Sequence, residues 1–221
     1  MIIGAVNGLI VAKLNVHPFI ATLGMMTIVY GINSLYYDSV GKASPISGFS
    51  EAYSNFAQGS IGSGSFSLSY LIIYAAIATI IMWILWNKTK FGKNVFAVGG
   101  NPEAARVSGV NVTKTLVGIY ALSGIYYAFG GLLEAGRIGS ATNNLGNMYE
   151  MDAIAACVIG GVSFYGGVGK ISGIITGVII LQVINYGLTY VGVSPYWQYI
   201  IKGIIIVAAV AFDSIKYAKK K

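Results

Sequence analysis

Long apolar runs with almost no charge constrain this chain more than any other feature. Five of them cover residues 19–37, 68–86, 116–133, 171–188 and 197–212. A helix of about 20 apolar residues matches the hydrocarbon thickness of a bilayer. Only 10% of the 221 residues are charged, whereas soluble domains carry about 25%. The pattern therefore predicts an all-α, polytopic transmembrane protein.

Two apolar segments are shorter than a span. We interpret residues 1–12 as the inner end of a partial first helix, and we expect the chain to be N-terminally truncated. Residues 153–164 are interrupted by glycines, and we expect a broken or tilted sixth element completed by residues 148–152. The expectation is one transmembrane domain, residues 1–221, with about six full or broken spans.

The charge balance indicates an orientation. Lysines and arginines number 14 against 7 acids, and basic residues collect in cytoplasmic loops. If residues 153–164 cross, three crossings separate the polar loop at 134–152 from the lysine-rich tail. The basic stretch at 87–115 and the tail are then both cytoplasmic, and the loops at 38–67 and 134–152 are both outside. Because the basic residues lie at span ends rather than on one face, we do not expect nucleic-acid binding.

The polar stretch at 87–115 contains the signals of a short helix over residues 102–108. Asn101 can cap its first turn, Pro102 suits the first helical position, and Gly109 can adopt the left-handed stop. We interpret this helix as a docking element for a soluble cytoplasmic partner; the alternative is a surface helix that only connects two spans. Its assigned residues are Asn101, Pro102, Glu103, Ala104, Ala105, Arg106, Ser108 and Gly109.

A second polar group surrounds the short element on the expected outer side. Irregular backbone at membrane depth is tolerated beside protein or water, where transporters place a pathway. Amides, carboxylates and a stacking tyrosine also suit polyols such as sugars. The alternatives are an ordinary wet loop or a docking face for an outside partner. The candidate pathway or outer-gate residues are Asn143, Asn144, Tyr149, Glu150, Asp152, Gly160 and Gly161.

The sequence contains no phosphate-cradling loop, no cluster of metal ligands and no nucleophile constellation. We therefore expect no catalytic residues, no metal site, no bound cofactor and no ATP hydrolysis by this chain. An ion-coupled carrier needs an acid or base within a span, and the acids here lie at span ends. That observation disfavours a carrier that works without ATP, which stays an alternative.

Four stretches resemble the membrane permeases of bacterial ABC importers for sugars. They are VHPFIATLGMMTIVYGI, FAVGGNPEAARVSGVNV, EMDAIAACVIGGVSFYGGVGKISG and VSPYWQYIIKGIIIVAAVAFDSIKYAKKK. This family includes ribose, xylose and galactose permeases and is related to branched-chain amino-acid permeases. Two stretches, GRIGSATNNLGNMYEMDAIAACVIGGVSF and INYGLTYVGVSPYWQYIIKG, are similar to the galactose members of this family. That resemblance implies galactose or methyl galactoside as the substrate, with ribose, xylose or branched-chain amino acids as alternatives.

The resemblance implies a bacterial plasma-membrane assembly with several partners. Two identical permease copies form the route, two ATPase subunits dock on the cytoplasmic face, and an extracytoplasmic sugar-binding protein delivers the substrate. The stretch GGNPEAARVSGV corresponds to the loop at which such permeases contact the ATPase. ATP and magnesium are then used by the partner, and this chain is a transport subunit rather than an enzyme.

Overall fold

A computed structural model describes residues 1–41, 44–62 and 67–218, except the side chains at positions 41, 209, 212 and 216–218. Its helices are α1 Ile2–Leu14, α2 Pro18–Gly41, α3 Glu51–Gln58, α4 Tyr70–Lys88, α5 Lys90–Gly100, α6 Pro102–Val107, α7 Val112–Ile138, α8 Tyr149–Ile159, α9 Ile171–Tyr190 and α10 Pro195–Ala218. Four two-residue strands, β1 Ile46–Ser47, β2 Ser60–Ile61, β3 Leu68–Ser69 and β4 Ser140–Ala141, form two small antiparallel pairs. The all-α prediction is confirmed.

Five helices in the described residues, α2, α4, α7, α9 and α10, are long and apolar enough to cross a membrane. They correspond to the five predicted full spans. Helix α8 begins at Tyr149, so residues from the predicted 148–152 segment do extend the short element. Its 11 residues measure about 16 Å at 1.5 Å per residue. Whether it crosses stays a prediction, and Lys219, Lys220 and Lys221, which decide the orientation argument, lie outside the described residues.

The chain divides into two compact units. Unit 1 comprises Met1–Val95 and Ala105–Gly146, and unit 2 comprises Phe96–Ala104 and Asn147–Lys221. The single-domain expectation stays a prediction.

In unit 1, α1 lies closely along α7. Gly4 and Gly8 are buried on the face of α1 that meets α7, and a Cβ added at Gly8 would lie 2.6 Å from the Val117 Cα. Glycines four residues apart allow two helix backbones to approach in lipid, where van der Waals packing drives association. Helix α1 is thus held against α7 by close backbone packing within unit 1.

The opposite end of α7 is covered by the segment between α2 and α4. Strand β1 pairs with β4, and Ala57 of α3 is completely buried. The Tyr53 hydroxyl donates to the Leu132 carbonyl at 2.5 Å, and Gln58 Nε2 donates to the Gly136 carbonyl at 2.9 Å. Residues 46–58 and 132–141 therefore lie at the same end of unit 1, and the side of the membrane that they face stays a prediction. Helix α3 itself was not predicted.

Unit 2 is built around the crossing of α8 and α9. Ala155, Ala156 and Leu181 form its buried core, with Ile159 and Ile206 packed against them. A Cβ added at Gly160 would lie 2.5 Å from the Gly173 carbonyl oxygen, and one at Gly177 would collide with the Ala156 carbonyl. Small residues spaced four apart on both helices permit this approach, so α8 is positioned by backbone contact.

Candidate functional site

The predicted docking helix is α6, Pro102–Val107. The Asn101 side-chain oxygen accepts a hydrogen bond from the Ala104 N–H at 3.0 Å, which confirms the predicted cap. Gly109 has φ +84°, the predicted left-handed stop. Around it, the Val110 N–H donates to the Ala105 carbonyl and the Gly109 N–H donates to the Arg106 carbonyl, both at 3.0 Å. This pair of bonds is the Schellman motif, so both ends of the short helix are fixed by hydrogen bonds.

Helix α6 exposes nearly all of its surface. Ala105 is buried, whereas the other residues from Asn101 to Gly109 are exposed. The Val107 side chain is 90% exposed although it is apolar. Val107 is missing from the predicted docking residues. Its place in the sequence between two of them, Arg106 and Ser108, was the available signal that it belongs to the same surface. A rigid, exposed helix that carries acidic, basic and apolar side chains can contact a soluble protein.

The segments on either side of α6 are also regular. Asn111 Oδ1 accepts from the Lys114 N–H at 2.9 Å and caps α7. On the other side lies α5, a helix that was not predicted. Thr89 Oγ1 accepts from the Gly92 N–H at 3.2 Å at its start, and the Phe91 ring packs against Gly118 of α7. The stretch at 87–115 is therefore two capped helices between spans rather than a loose loop.

The predicted outer residues are divided between the two units. In unit 1, the half-buried Asn143 donates from Nδ2 to the Ser34 hydroxyl at 3.3 Å, and Asn144 is exposed. This hydrogen bond joins the segment after α7 to α2. Asn143 therefore has a structural role in unit 1, and its contact with a substrate stays a prediction.

In unit 2, Tyr149, Glu150 and Asp152 lie in the first turn of α8. Asp152 Oδ1 lies 2.6 Å from Lys202 Nζ of α10, and both side chains are largely buried, at 24% and 15% exposure. In the described residues this oxygen has no hydrogen-bond partner, so the Lys202 ammonium compensates it as an ion pair. The pair links α8 to α10. Separating the two helices would be costly, because it would leave a largely buried charge without its partner. From the sequence, Asp152 was identified as a candidate pathway residue, and Lys202 was not identified as its partner.

Gly160 and Gly161 follow the opposite end of α8. Gly160 packs on Gly173 of α9, and Gly161 has φ +80° with open space where a side chain would be. The structure does not bring these glycines together with Asp152, because the length of α8 separates them. Their role in a route stays a prediction. Among the residues described, no three His, Cys, Asp or Glu side chains are grouped so that they could bind a metal ion.

Comparison with known proteins finds relatives that are all named as sugar import permeases. The Haemophilus influenzae galactose/methyl galactoside import permease protein is 73% identical over 220 residues, and its Escherichia coli counterpart is 72% identical. Both alignments cover 100% of this chain and 65% of the relative. The Bacillus subtilis ribose import permease protein is 41% identical over 213 residues, which cover 96% of this chain and 64% of that protein. No solved structure matches the chain.

The chain thus spans slightly less than two thirds of the length of these curated relatives. A family model described as "Branched-chain amino acid transport system / permease component" matches residues 1–210, which includes all the described spans except the end of α10. The chain belongs to this permease-component family.

Proposed function

We propose that the chain forms part of the membrane-spanning permease subunit of an ATP-binding-cassette importer that carries a monosaccharide into the bacterial cytoplasm. Galactose and methyl galactoside are the proposed substrates. The identity to three permeases named for those sugars carries this proposal: it is 72–73%. It is 40–41% for the ribose, fructose and L-arabinose permeases and for a fourth permease named for galactose and methyl galactoside.

The capped helix α6 is the structural feature that supports the proposal of an ATPase partner on the cytoplasmic side. It is exposed, bounded by hydrogen bonds at both ends and flanked by the basic residues Lys90, Lys93 and Lys114. Closure of an ATPase dimer can displace such a rigid helix, whereas a flexible loop would absorb the motion. In this proposal ATP and magnesium are bound and used by the partner, and the permease chain is a transport subunit without a cofactor of its own.

The remaining partners follow from the same proposal. A second permease copy completes the route, and a sugar-binding protein outside the membrane delivers the substrate to the face that carries the segments after α2 and α7. The C-terminus is then cytoplasmic. Transport consists of alternating access, in which the substrate-loaded binding protein and ATP favour different conformers of the same route.

Substrate competition tests the proposal. In proteoliposomes that contain the complete importer, labelled galactose uptake should require ATP, and excess unlabelled methyl galactoside should suppress it. Ribose, xylose and leucine at equal concentration should compete at least about tenfold less well, because a site that pairs with substrate hydroxyls discriminates strongly against mismatched ones.

Two results would contradict the proposal. Strong competition by leucine would indicate an amino-acid importer, and galactose uptake that continues without ATP would indicate a carrier of another class.

A further inference from the structure

A closed turn follows the short helix α8 in unit 2. We call residues 160–170, GGVSFYGGVGK, the glycine loop. The Ser163 N–H donates to the Val168 carbonyl at 3.1 Å, and the Gly166 N–H donates to the Ser163 carbonyl at 3.3 Å. Gly166 and Gly167 have φ +88° and +70°, in the region where residues with a Cβ are strained. The loop therefore has a defined conformation.

The tip of the glycine loop contacts the end of α5 backbone to backbone. A Cβ added at Gly99 would lie 2.8 Å from the Gly167 nitrogen, and one added at Gly167 would lie 2.6 Å from the Gly100 Cα. Gly100 directly precedes Asn101, whose side chain caps the docking helix α6. The loop thus contacts the point at which α6 begins.

Asp213 of α10 fixes the other side of this loop. Its Oδ2 accepts from the Ser163 hydroxyl at 2.8 Å and from the Phe164 N–H at 2.9 Å. The neighbouring Ser214 hydroxyl lies 3.2 Å from the Tyr165 hydroxyl. Hydrogen bonds to a carboxylate are roughly twice as strong as those between neutral groups. A single acid therefore positions two consecutive residues of the loop.

We propose that Asp213 is a positioning residue for energy coupling. It holds the glycine loop against the end of α5 and so connects the start of the docking helix to α8 and α10. Movement of α6 is then transmitted to these two helices through the glycine loop, as well as along the chain into the adjoining spans. This inference rests on the proposed importer function. The contact between the glycine loop and the end of α5 can nevertheless be tested without measuring transport.

The test compares Asp213→Leu, which removes the acceptor at similar size, with Asp213→Asn, which keeps one acceptor oxygen. The first readout is the rate of trypsin cleavage after Arg106 in the purified permease, which tracks local opening of the docking segment. Asp213→Leu should raise this rate about tenfold, and Asp213→Asn should stay within about threefold of the parent. The control is Asp38→Leu, at an exposed acid in α2, and it should leave the rate unchanged.

The second readout is the number of sugar molecules taken up per ATP hydrolysed by the complete importer. Asp213→Leu should lower this ratio about tenfold while the ATPase remains bound, because the loss is one of coupling free energy. Ser163→Ala removes one of the two donors to Asp213 and the acceptor of the Tyr165 N–H, but keeps the Phe164 N–H as a donor to Asp213. It should lower the ratio about threefold, and it is the deciding variant if Asp213→Leu does not assemble.

The inference would be overturned if Asp213→Leu had the same rate of cleavage after Arg106 and the same number of sugar molecules taken up per ATP as the parent. Equal impairment of Asp213→Leu and Asp213→Asn, with a matching loss of thermal stability, would also overturn it, because that result indicates a purely structural role. If the parent itself takes up no sugar with ATP, the proposed function fails, whereas the cleavage rates still decide whether Asp213 positions the docking helix.

Discussion

Replacing Arg106 by glutamate and Gly109 by valine together should reduce ATP-driven sugar uptake about 100-fold while the membrane helices remain folded. Gly109 has φ +84° with no atom within 4 Å of an added Cβ, so valine would be disfavoured by backbone strain rather than by collision. A β-branched residue in that conformation costs about 1–3 kcal/mol, which is enough to open the Schellman turn. Glutamate at the exposed Arg106 reverses a charge on the surface offered to the ATPase.

The measurement is sugar-stimulated ATP hydrolysis and uptake by the complete importer. The matched control combines Lys13→Glu, at an exposed lysine in the last turn of α1, with Gly146→Val. Gly146 has φ +80° and open surroundings like Gly109, but it lies after α7, away from the docking helix in sequence. We expect the control to retain uptake within about threefold. Normal stimulation and uptake by the Arg106→Glu, Gly109→Val variant would show that α6 does not couple the two proteins.

Gly177→Leu should prevent unit 2 from folding. Gly177 of α9 is buried, and any Cβ there would collide with the Ala156 carbonyl of α8. A leucine must separate the two helices, which would remove the contacts of the Ala155, Ala156 and Leu181 core. Overpacking of this kind costs about 3 kcal/mol or more, a large part of the stability of a typical domain.

Gly187→Leu is the control for this change, because Gly187 lies in the same helix and has no atom within 4 Å of an added Cβ. The yield of monodisperse protein in mild detergent and its thermal unfolding curve should fall sharply for Gly177→Leu and stay near the parent for Gly187→Leu. Similar curves for the two variants would mean that α8 and α9 do not cross at Gly177.

The spans and the docking helix could be predicted from sequence because their signals are local. A run of apolar residues identifies a span of sufficient length. Asn101, Pro102 and Gly109 each specify their own backbone geometry, and the structure places α6 within one residue of the predicted helix. Such features depend on a few neighbouring residues and need no knowledge of the tertiary contacts.

Helices α3 and α5 were missed because composition hides them. The sequence of α5, KFGKNVFAVGG, contains three glycines, and glycine disfavours a helix interior by about 1 kcal/mol relative to alanine. Helix α3 has only eight residues in a segment rich in serine and glycine. The available signal was Ser50 before Glu51, since the Ser50 hydroxyl accepts from the Tyr53 N–H. Both helices are supported by packing on α7, which local sequence does not reveal.

The long-range polar contacts could not be predicted at all. Asp152 and Lys202 are 50 positions apart, as are Ser163 and Asp213. The sequence identified Asp152 as a candidate pathway residue, but its buried ion pair with Lys202 depends on the packing of α8 against α10. The same packing brings Asp213 to the glycine loop, and nothing in the surrounding sequence indicates that partner.

The docking helix can be located directly with one introduced thiol. In a Cys157→Ala background, Val107→Cys places a cysteine on a side chain that is 90% exposed in the parent. We predict that a short bifunctional maleimide joins it to the ATPase subunit when nucleotide is bound, and that a membrane-impermeant maleimide labels it in inverted vesicles but not in intact cells. Labelling from outside intact cells, or no cross-link to the ATPase in the nucleotide-bound importer, would contradict the account.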